Sequence, residues 1–233
     1  LCFRGRGIDL QVDVAARRRD QISMRAPVRA KRPNIDLEVD ATLRLFVPSP
    51  VPVTAAIALG SNLGDRAGHI AGAAAAIARL PGTRLIVMGP IIQTRAMTLP
   101  GQGPAPDFLN SAVLVETALP PRDLLEFLQA IERDRGRDRS AASGPWAPRT
   151  LDLDLLTYGD RTIDEPGLTV PHPRLHERDF VLIPLCAVAP GLVVPGRGPV
   201  CDLLASLRAS PGADLTGTDD GRPRPWTADA SAR

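Results

Sequence analysis

Thr150-Leu151-Asp152-Leu153-Asp154-Leu155-Leu156-Thr157 alternates apolar and acidic side chains with a period of two. In an extended strand that period sends Leu151, Leu153 and Leu155 to one face and the carboxylates of Asp152 and Asp154 to the other. A strand greasy on one side needs neighbouring strands and a covering layer, and the flanking sequence supplies candidates for both. Just upstream, residues 122–135 set Leu124, Leu125, Leu128 and Ile131 on one helical stripe, with Pro121 suited to the first turn and Gly136 to the end. Before that helix, residues 110–117 read as a strand with Ala112, Leu114 and Glu116 on one face, and residues 83–94 as another, bent at Gly89-Pro90. At the front, the apolar run 54–59 has strand length and ends in the turn Gly60-Ser61-Asn62-Leu63-Gly64. Asp65 can cap a helix from there to Leu80, which Pro81-Gly82 stops. The order β-α-β-β-α-β predicts an α+β, ferredoxin-like domain: an antiparallel four-stranded sheet with both helices packed on one face. Gly159-Asp160 reads as a further hairpin turn, and residues 177–187 as a short helix.

Around this core the chain changes character. Residues 1–53 hold no sustained period, contain Arg17-Arg18-Arg19 and end in a Pro-rich stretch, so they read as a poorly ordered extension and linker. Residues 54–208 then form the domain, and residues 209–233, rich in Gly, Pro, Asp and Arg, a disordered tail. No run of eighteen apolar residues occurs, so no membrane span is expected. Three cysteines, Cys2, Cys186 and Cys201, give neither a disulfide framework nor a zinc pattern, and Leu1 to Gly7 lacks the order of a secretory signal. A reducing cytoplasm is the expected compartment, and a monomer the expected state.

Residues 1–53 carry ten of the 28 Lys/Arg but only six of the 26 Asp/Glu, which leaves the domain slightly acidic and argues against nucleic acid as a partner. Lys31 is the only lysine. A lysine-bearing P-loop is thereby excluded, and phosphate binding in the domain falls to arginine, backbone N–H groups or metal.

Two carboxylates held side by side repel, and a divalent cation between them offsets that repulsion while drawing oxygens from substrate phosphates. A bare D-x-D is equally compatible with a solvated strand face. The neighbourhood favours chemistry, because Arg133, Arg135, Arg137, Arg139 and Arg149 surround the pair, and planar guanidinium groups suit a polyphosphate. Arg133 and Arg135 can be explained by the end of the helix alone. Trp146, in a polar Pro-flanked loop, can stack on a heterocycle or cover the loop's own base. Phe108 and Asn110, taken singly, read as core and turn residues, and His172 and His176 as turn or phosphate contacts. The long Gly/Pro-rich connections 95–107 and 136–149 read as lids over a shared site.

ALGSNLGDR at residues 58–66, PDFLNSAV at 106–113, PRTLDLDLL at 148–156 and LTVPHPRLHERDFVLIPL at 168–185 together resemble the 6-hydroxymethyl-7,8-dihydropterin pyrophosphokinase family. The resemblance covers nearly all of residues 54–198. It implies a ferredoxin-like fold and transfer of the terminal pyrophosphate of ATP to the hydroxymethyl group of a reduced pterin in folate biosynthesis. It also implies two Mg2+ ions on Asp152 and Asp154, with Arg137 and Arg149 around the phosphates. On the ATP side it places Gln129, Glu132, Arg139, Trp146, Arg149, Thr169, His172 and Arg178. On the pterin side it places Thr94, Phe108, Asn110, Trp146, Asp152 and Phe180, with Phe108 and Phe180 sandwiching the ring. The chain departs from the family pattern at Pro145, at Gly167, at Arg95-Ala96-Met97 and at Ile92-Gln93.

Two other classes share parts of this pattern. A ferredoxin-like RNA-binding module would read bases on sheet-borne aromatics, but aromatics make up only 3% of the chain and its strands carry almost none. A metal-dependent nucleotidyltransferase shares the two-carboxylate logic and would differ in its products.

Overall fold

A strand that is apolar on both sides belongs in the middle of a covered sheet, and Val53–Ser61 (β1) is such a strand, with Ala55, Ala56, Ile57 and Leu59 all buried. The computed structural model describes residues 51–96, 105–137, 148–210 and 224–226. From β1 the chain runs through helix α1 (Arg66–Ile77), strands β2 (Thr83–Met88), β3 (Ile92–Thr94) and β4 (Phe108–Thr117), helix α2 (Pro121–Asp134) and strand β5 (Asp152–Tyr158). Strands β4 and β5 flank β1 on its two sides, both antiparallel. Strands β2 and β3 are the two halves of the strand expected to bend at Gly89-Pro90, and both pair with β4. A small hairpin of β6 (Ile163–Glu165) and β7 (Leu168–Val170) follows, then a 3-10 turn (Leu175–Glu177) and α3 (Asp179–Val188). The chain continues through a hairpin of β8 (Val193–Val194) and β9 (Gly198–Pro199) to α4 (Val200–Ala209), and strand β10 (Arg224–Pro225) pairs with β3.

The alternation along the strands divides the core in two. Ala55, Ile57 and Leu59 of β1 and Leu153 and Leu155 of β5 face α1 and α2, which bury Ile70, Ile77, Leu124 and Leu128 against them. Ala56, Ala112, Leu114 and Leu156 point the other way, onto Leu182 and Leu185 of α3 and Val200 and Leu204 of α4. The ferredoxin-like α+β fold is therefore present with both helices on one face, and the C-terminal helices close the second face. Asp65 caps α1 as its spacing implies, its carboxylate accepting the Gly68 N–H at 2.9 Å. That helix ends at Ile77, three residues short of the expected Leu80.

Three features depart from the sequence reading. The sheet has six strands rather than four, because the Gly89-Pro90 kink splits one strand and β10 adds another. Within the tail expected to be disordered, Arg224–Pro225 pairs with β3 and Trp226 packs on the core. Local composition gave no hint of this, since the stabilising partners lie more than 100 residues away. Cys186 and Cys201 form a disulfide between α3 and α4 at a Cα–Cα separation of 5.3 Å. The chain's unpatterned cysteines gave no signal of it, because the proximity comes from helix packing. Cys2 lies outside the described residues. No helix among the described residues is long and apolar enough to cross a membrane.

Leu128, fully buried on α2, tests this packing. Leu128→Ala is expected to lower the unfolding free energy by about 2–5 kcal/mol in urea titration, as other buried leucine truncations do.

A candidate active site at the end of the sheet

The face of β5 opposite its leucines carries Asp152 and Asp154, and the register places small residues beside them. Ala58 of β1 stands opposite Asp154, and Gly60 stands between Asp152 on one side and Asn110 on the other. A methyl group on Gly60 would lie 3.0 Å from the Asn110 Oδ1 and 3.8 Å from the Asp152 Cβ. The glycine therefore keeps this end of the sheet open, and a cavity of about 400 Å³ occupies the space. Its walls include Thr94, Phe108, Asn110, Arg137, Arg149, Asp152, Asp154, His172, Arg178 and Phe180.

Each acid has cationic company. Arg137 donates to the carboxylates of both Asp152 and Glu132, and the Arg149 Nε lies 3.3 Å from the Asp152 Oδ2. Arg178 approaches the Asp154 Oδ2 at 3.4 Å. Burial, and then the charge of Asp152, push the Asp154 carboxyl above its ordinary range, against the pull of His172, Arg178 and Arg149. His172 is held below its ordinary value by burial, with Asp154 opposing and Arg178 assisting. Its Nδ1 accepts the Arg174 N–H at 3.2 Å, as a neutral imidazole does.

The two aromatic rings are also covered by arginine. The Arg149 guanidinium lies 5.5 Å from the centroid of Phe108, and that of Arg178 lies 5.6 Å from the centroid of Phe180. Asn110, buried beside Phe108, donates to the Thr94 Oγ1 at 2.7 Å.

Asn62, in the turn after β1, anchors the inner ends of both long connections. Its Nδ2 donates to the Pro106 carbonyl at 3.2 Å, and its Oδ1 accepts the Arg149 N–H at 2.7 Å. Its own N–H donates to the Arg149 carbonyl at 3.1 Å. Arg66 adds a donor to the Asp107 carbonyl at 2.6 Å. These two residues were missed by sequence reasoning, and only their place in the GSNLGDR segment marked them.

Of the residues singled out from sequence, ten thus meet at one cavity. Gln129, Glu132 and Thr169 are absent from its walls. Glu132 is fully buried behind it, accepting the Leu153 N–H at 2.8 Å as well as the Arg137 donor, while Thr169 donates to Asp164 at 3.4 Å on the exposed β6–β7 hairpin. Arg139 and Trp146 lie outside the described residues, as does most of each long connection. Arg95, Ser111, Arg174, Glu177 and Asp179 join the cavity wall without having been singled out.

Residues 56–190 match the family model described as 7,8-dihydro-6-hydroxymethylpterin-pyrophosphokinase (HPPK). A 2-amino-4-hydroxy-6-hydroxymethyldihydropteridine pyrophosphokinase of Pseudomonas aeruginosa is 42% identical over 150 residues, which cover 64% of this chain and 89% of that protein. The enzyme of the same name from Synechocystis is 37% identical over 171 residues, covering 70% of this chain and 84% of that protein. A crystal structure of HPPK-DHPS in complex with substrates superposes with a TM-score of 0.52 at 13% identity, over 66% of this chain and 43% of that one. A Plasmodium falciparum HPPK-DHPS structure gives 0.51 at 13% identity, over 69% and 45%. These two likenesses concern the fold, and the chain spans less than half the length of either structure. Fold and relatives together define a diphosphotransferase enzyme of α+β architecture. The chain belongs to the 7,8-dihydro-6-hydroxymethylpterin-pyrophosphokinase family.

Two outcomes test the geometry. Because the Asp154 carboxyl is raised, the folded state binds its proton more tightly than the unfolded state does. Its stabilising contribution is therefore present at low pH and declines as pH rises from the unfolded carboxyl range through the raised value. In chelator, Asp154→Asn is expected to melt at or above the wild-type temperature near neutral pH, with its advantage shrinking in acid. A variant that melts lower at pH 7 than wild type would contradict the assignment. Asn62→Ala leaves the Pro106 carbonyl and the Arg149 N–H without their side-chain partner. The folded variant is expected to lose turnover by up to about a hundredfold, the scale of small misplacements in an active site.

Proposed function

We propose that this cavity transfers pyrophosphate from ATP to the hydroxymethyl group of 6-hydroxymethyl-7,8-dihydropterin, releasing AMP, with Asp152 and Asp154 holding two Mg2+ ions. The observation that carries the reading is that one wall presents both carboxylates of β5 while the same cavity presents Phe108 and Phe180. Acidic groups suited to a metal–phosphate unit and aromatic rings suited to a pterin thus share one cavity.

The residues present fit magnesium. Burial, and then the charge of Asp152, raise the Asp154 carboxyl, and a divalent cation beside it would offset both. Among the described residues no cluster of three or more acidic, His or Cys side chains could hold a metal. Two carboxylates completed by substrate phosphates and water is the ligand set that magnesium favours in nucleotide sites. When bound on Asp152 and Asp154, Mg2+ would supply positive charge against the phosphates and so offset the charge that develops as AMP departs.

The side chains of this chain supply the rest. Phe108 and Phe180 hold the pterin ring between their faces, and Asn110, fixed by Thr94, offers its remaining amide donor and its carbonyl to the ring edge. Asp152 faces both substrates. Arg137, Arg149 and Arg178 exchange carboxylate partners for phosphate oxygens, which the planar guanidinium fork can bind in pairs. His172, neutral in the cavity, can donate through Nε2 to a phosphate oxygen. Glu132 acts from behind by fixing Arg137 and the start of β5. Gln129, Thr169, Arg139 and Trp146 are assigned to ATP, and Trp146 also to the pterin, on the family resemblance alone. The hydroxymethyl oxygen then attacks the β-phosphorus in line, and the bond to the α-phosphate oxygen breaks. The proposed enzyme is a monomer built on the domain 54–208, to whose sheet residues 224–225 add a strand.

Incubating the protein with ATP, Mg2+ and the reduced pterin is expected to yield AMP. ADP would instead indicate phosphoryl transfer, and free pyrophosphate nucleotidyl transfer. Asp154→Ala is expected to keep the fold and lose most turnover, and undiminished turnover would remove it from the metal site. For Arg149→Ala the expected loss is about a thousandfold, the lower end for an arginine that stabilises transferring phosphate.

A further inference from the structure

The register of the sheet links the pterin side of the cavity to a segment that composition had marked as unstructured. Strand β3 has only three residues. On one side Ile92, Gln93 and Thr94 pair with Asn110, Leu109 and Phe108 of β4. On the other, Gln93 and Ile92 pair with Arg224 and Pro225, and the Trp226 N–H donates to the Ile91 carbonyl at 2.9 Å. Trp226 is half-buried against the core under α1 and α2. Thr94, 2% exposed, is the partner of the Asn110 amide, and Gln93 donates to the Asp107 Oδ2 at 2.9 Å.

We infer that residues 224–226 form a positioning strap for the pterin side of the cavity, with Trp226 as its anchor. A three-residue strand paired on one side only is prone to fray, and pairing on both sides fixes its register. Pro225 has no N–H, which suits the last strand of a ladder. With β3 held, Thr94 stays beneath Asn110 and Gln93 stays on Asp107, immediately before Phe108. The nucleotide-facing groups Asp152, Asp154, Arg137 and Arg178 sit on β5, after α2 and before α3, with β3, β4 and β1 between β5 and the strap. The strap therefore acts on one substrate and not the other.

This inference rests on Phe108 and Asn110 contacting the pterin, and the two can fail separately. The pterin KM of Phe108→Ala and Asn110→Ala tests that contact reading without reference to the strap. The strap is tested in the full chain by the separate KM values for pterin and ATP in Trp226→Ala and Trp226→Phe. Trp226→Ala is expected to raise the pterin KM about tenfold while the ATP KM stays within about twofold, the signature of lost binding on one side. Trp226→Phe is expected to restore most of the difference, and amide exchange of residues 91–94 should be faster in Trp226→Ala than in wild type. If both KM values rise together, or neither changes, the strap only stabilises the fold and the inference is overturned. Should Trp226→Ala not fold, Trp226→Leu, which keeps apolar bulk, carries the same comparison.

Discussion

The pleat of β5 forces two like charges, Asp152 and Asp154, onto the same side of one strand, and the surrounding structure answers their repulsion. Positions two apart on a strand lie roughly 7 Å from each other, and two unit charges at that distance repel by about 2 kcal/mol near a protein surface, a noticeable part of a domain's whole stability. Small residues at positions 58 and 60 leave room beside the acids, and arginines from three separate segments lean over them. None of these arginines belongs to β5. Each arrives from the end of a helix or loop, so the charge balance of the site depends on the packing of both layers that cover the sheet.

Asn62 and Arg149 join the two halves of the cavity. Asn62 holds the chain at Pro106, just before Phe108, and at Arg149, just before Asp152. A single amide thus fixes the starting points of both the aromatic slot and the acidic strand. Arg149 then spans the two, touching Asp152 with its Nε and lying over Phe108 with its plane. Any ligand that draws the guanidinium toward phosphate must also uncover the ring, so the polar and apolar parts of the site respond together.

Much of this was legible from local pattern. The D-x-D alternation, the Leu124-Leu128-Ile131 stripe and the apolar run ending in Gly60 are periodic signals, and the structure realises each as the expected strand or helix. Glu132 shows where periodicity ends as a guide: it sits on α2 next to the apolar stripe, yet it is wholly buried, accepting from the nearby Arg137 guanidinium and from the Leu153 N–H of β5. The Cys186–Cys201 link and the pairing of Arg224–Pro225 with β3 likewise arise from tertiary proximity, which no window of neighbouring residues encodes. The start of β4 at Phe108, two residues before the expected Asn110, has the same origin, since its first pairings are with β3.

The same short ladder bears on how the molecule behaves in a crowded solution. Exposed rows of backbone amides invite other chains to zip onto a sheet, and natural proteins spoil those borders with prolines, irregular spacing or covering segments. All three remedies occur here. Pro225 closes the border beyond β3, the register slip between Leu85 and Val87 disturbs β2, and the chain after β7 covers β5 where the His172 N–H meets the Leu156 carbonyl. Each of these three places is thereby a poor template for a strand from another molecule.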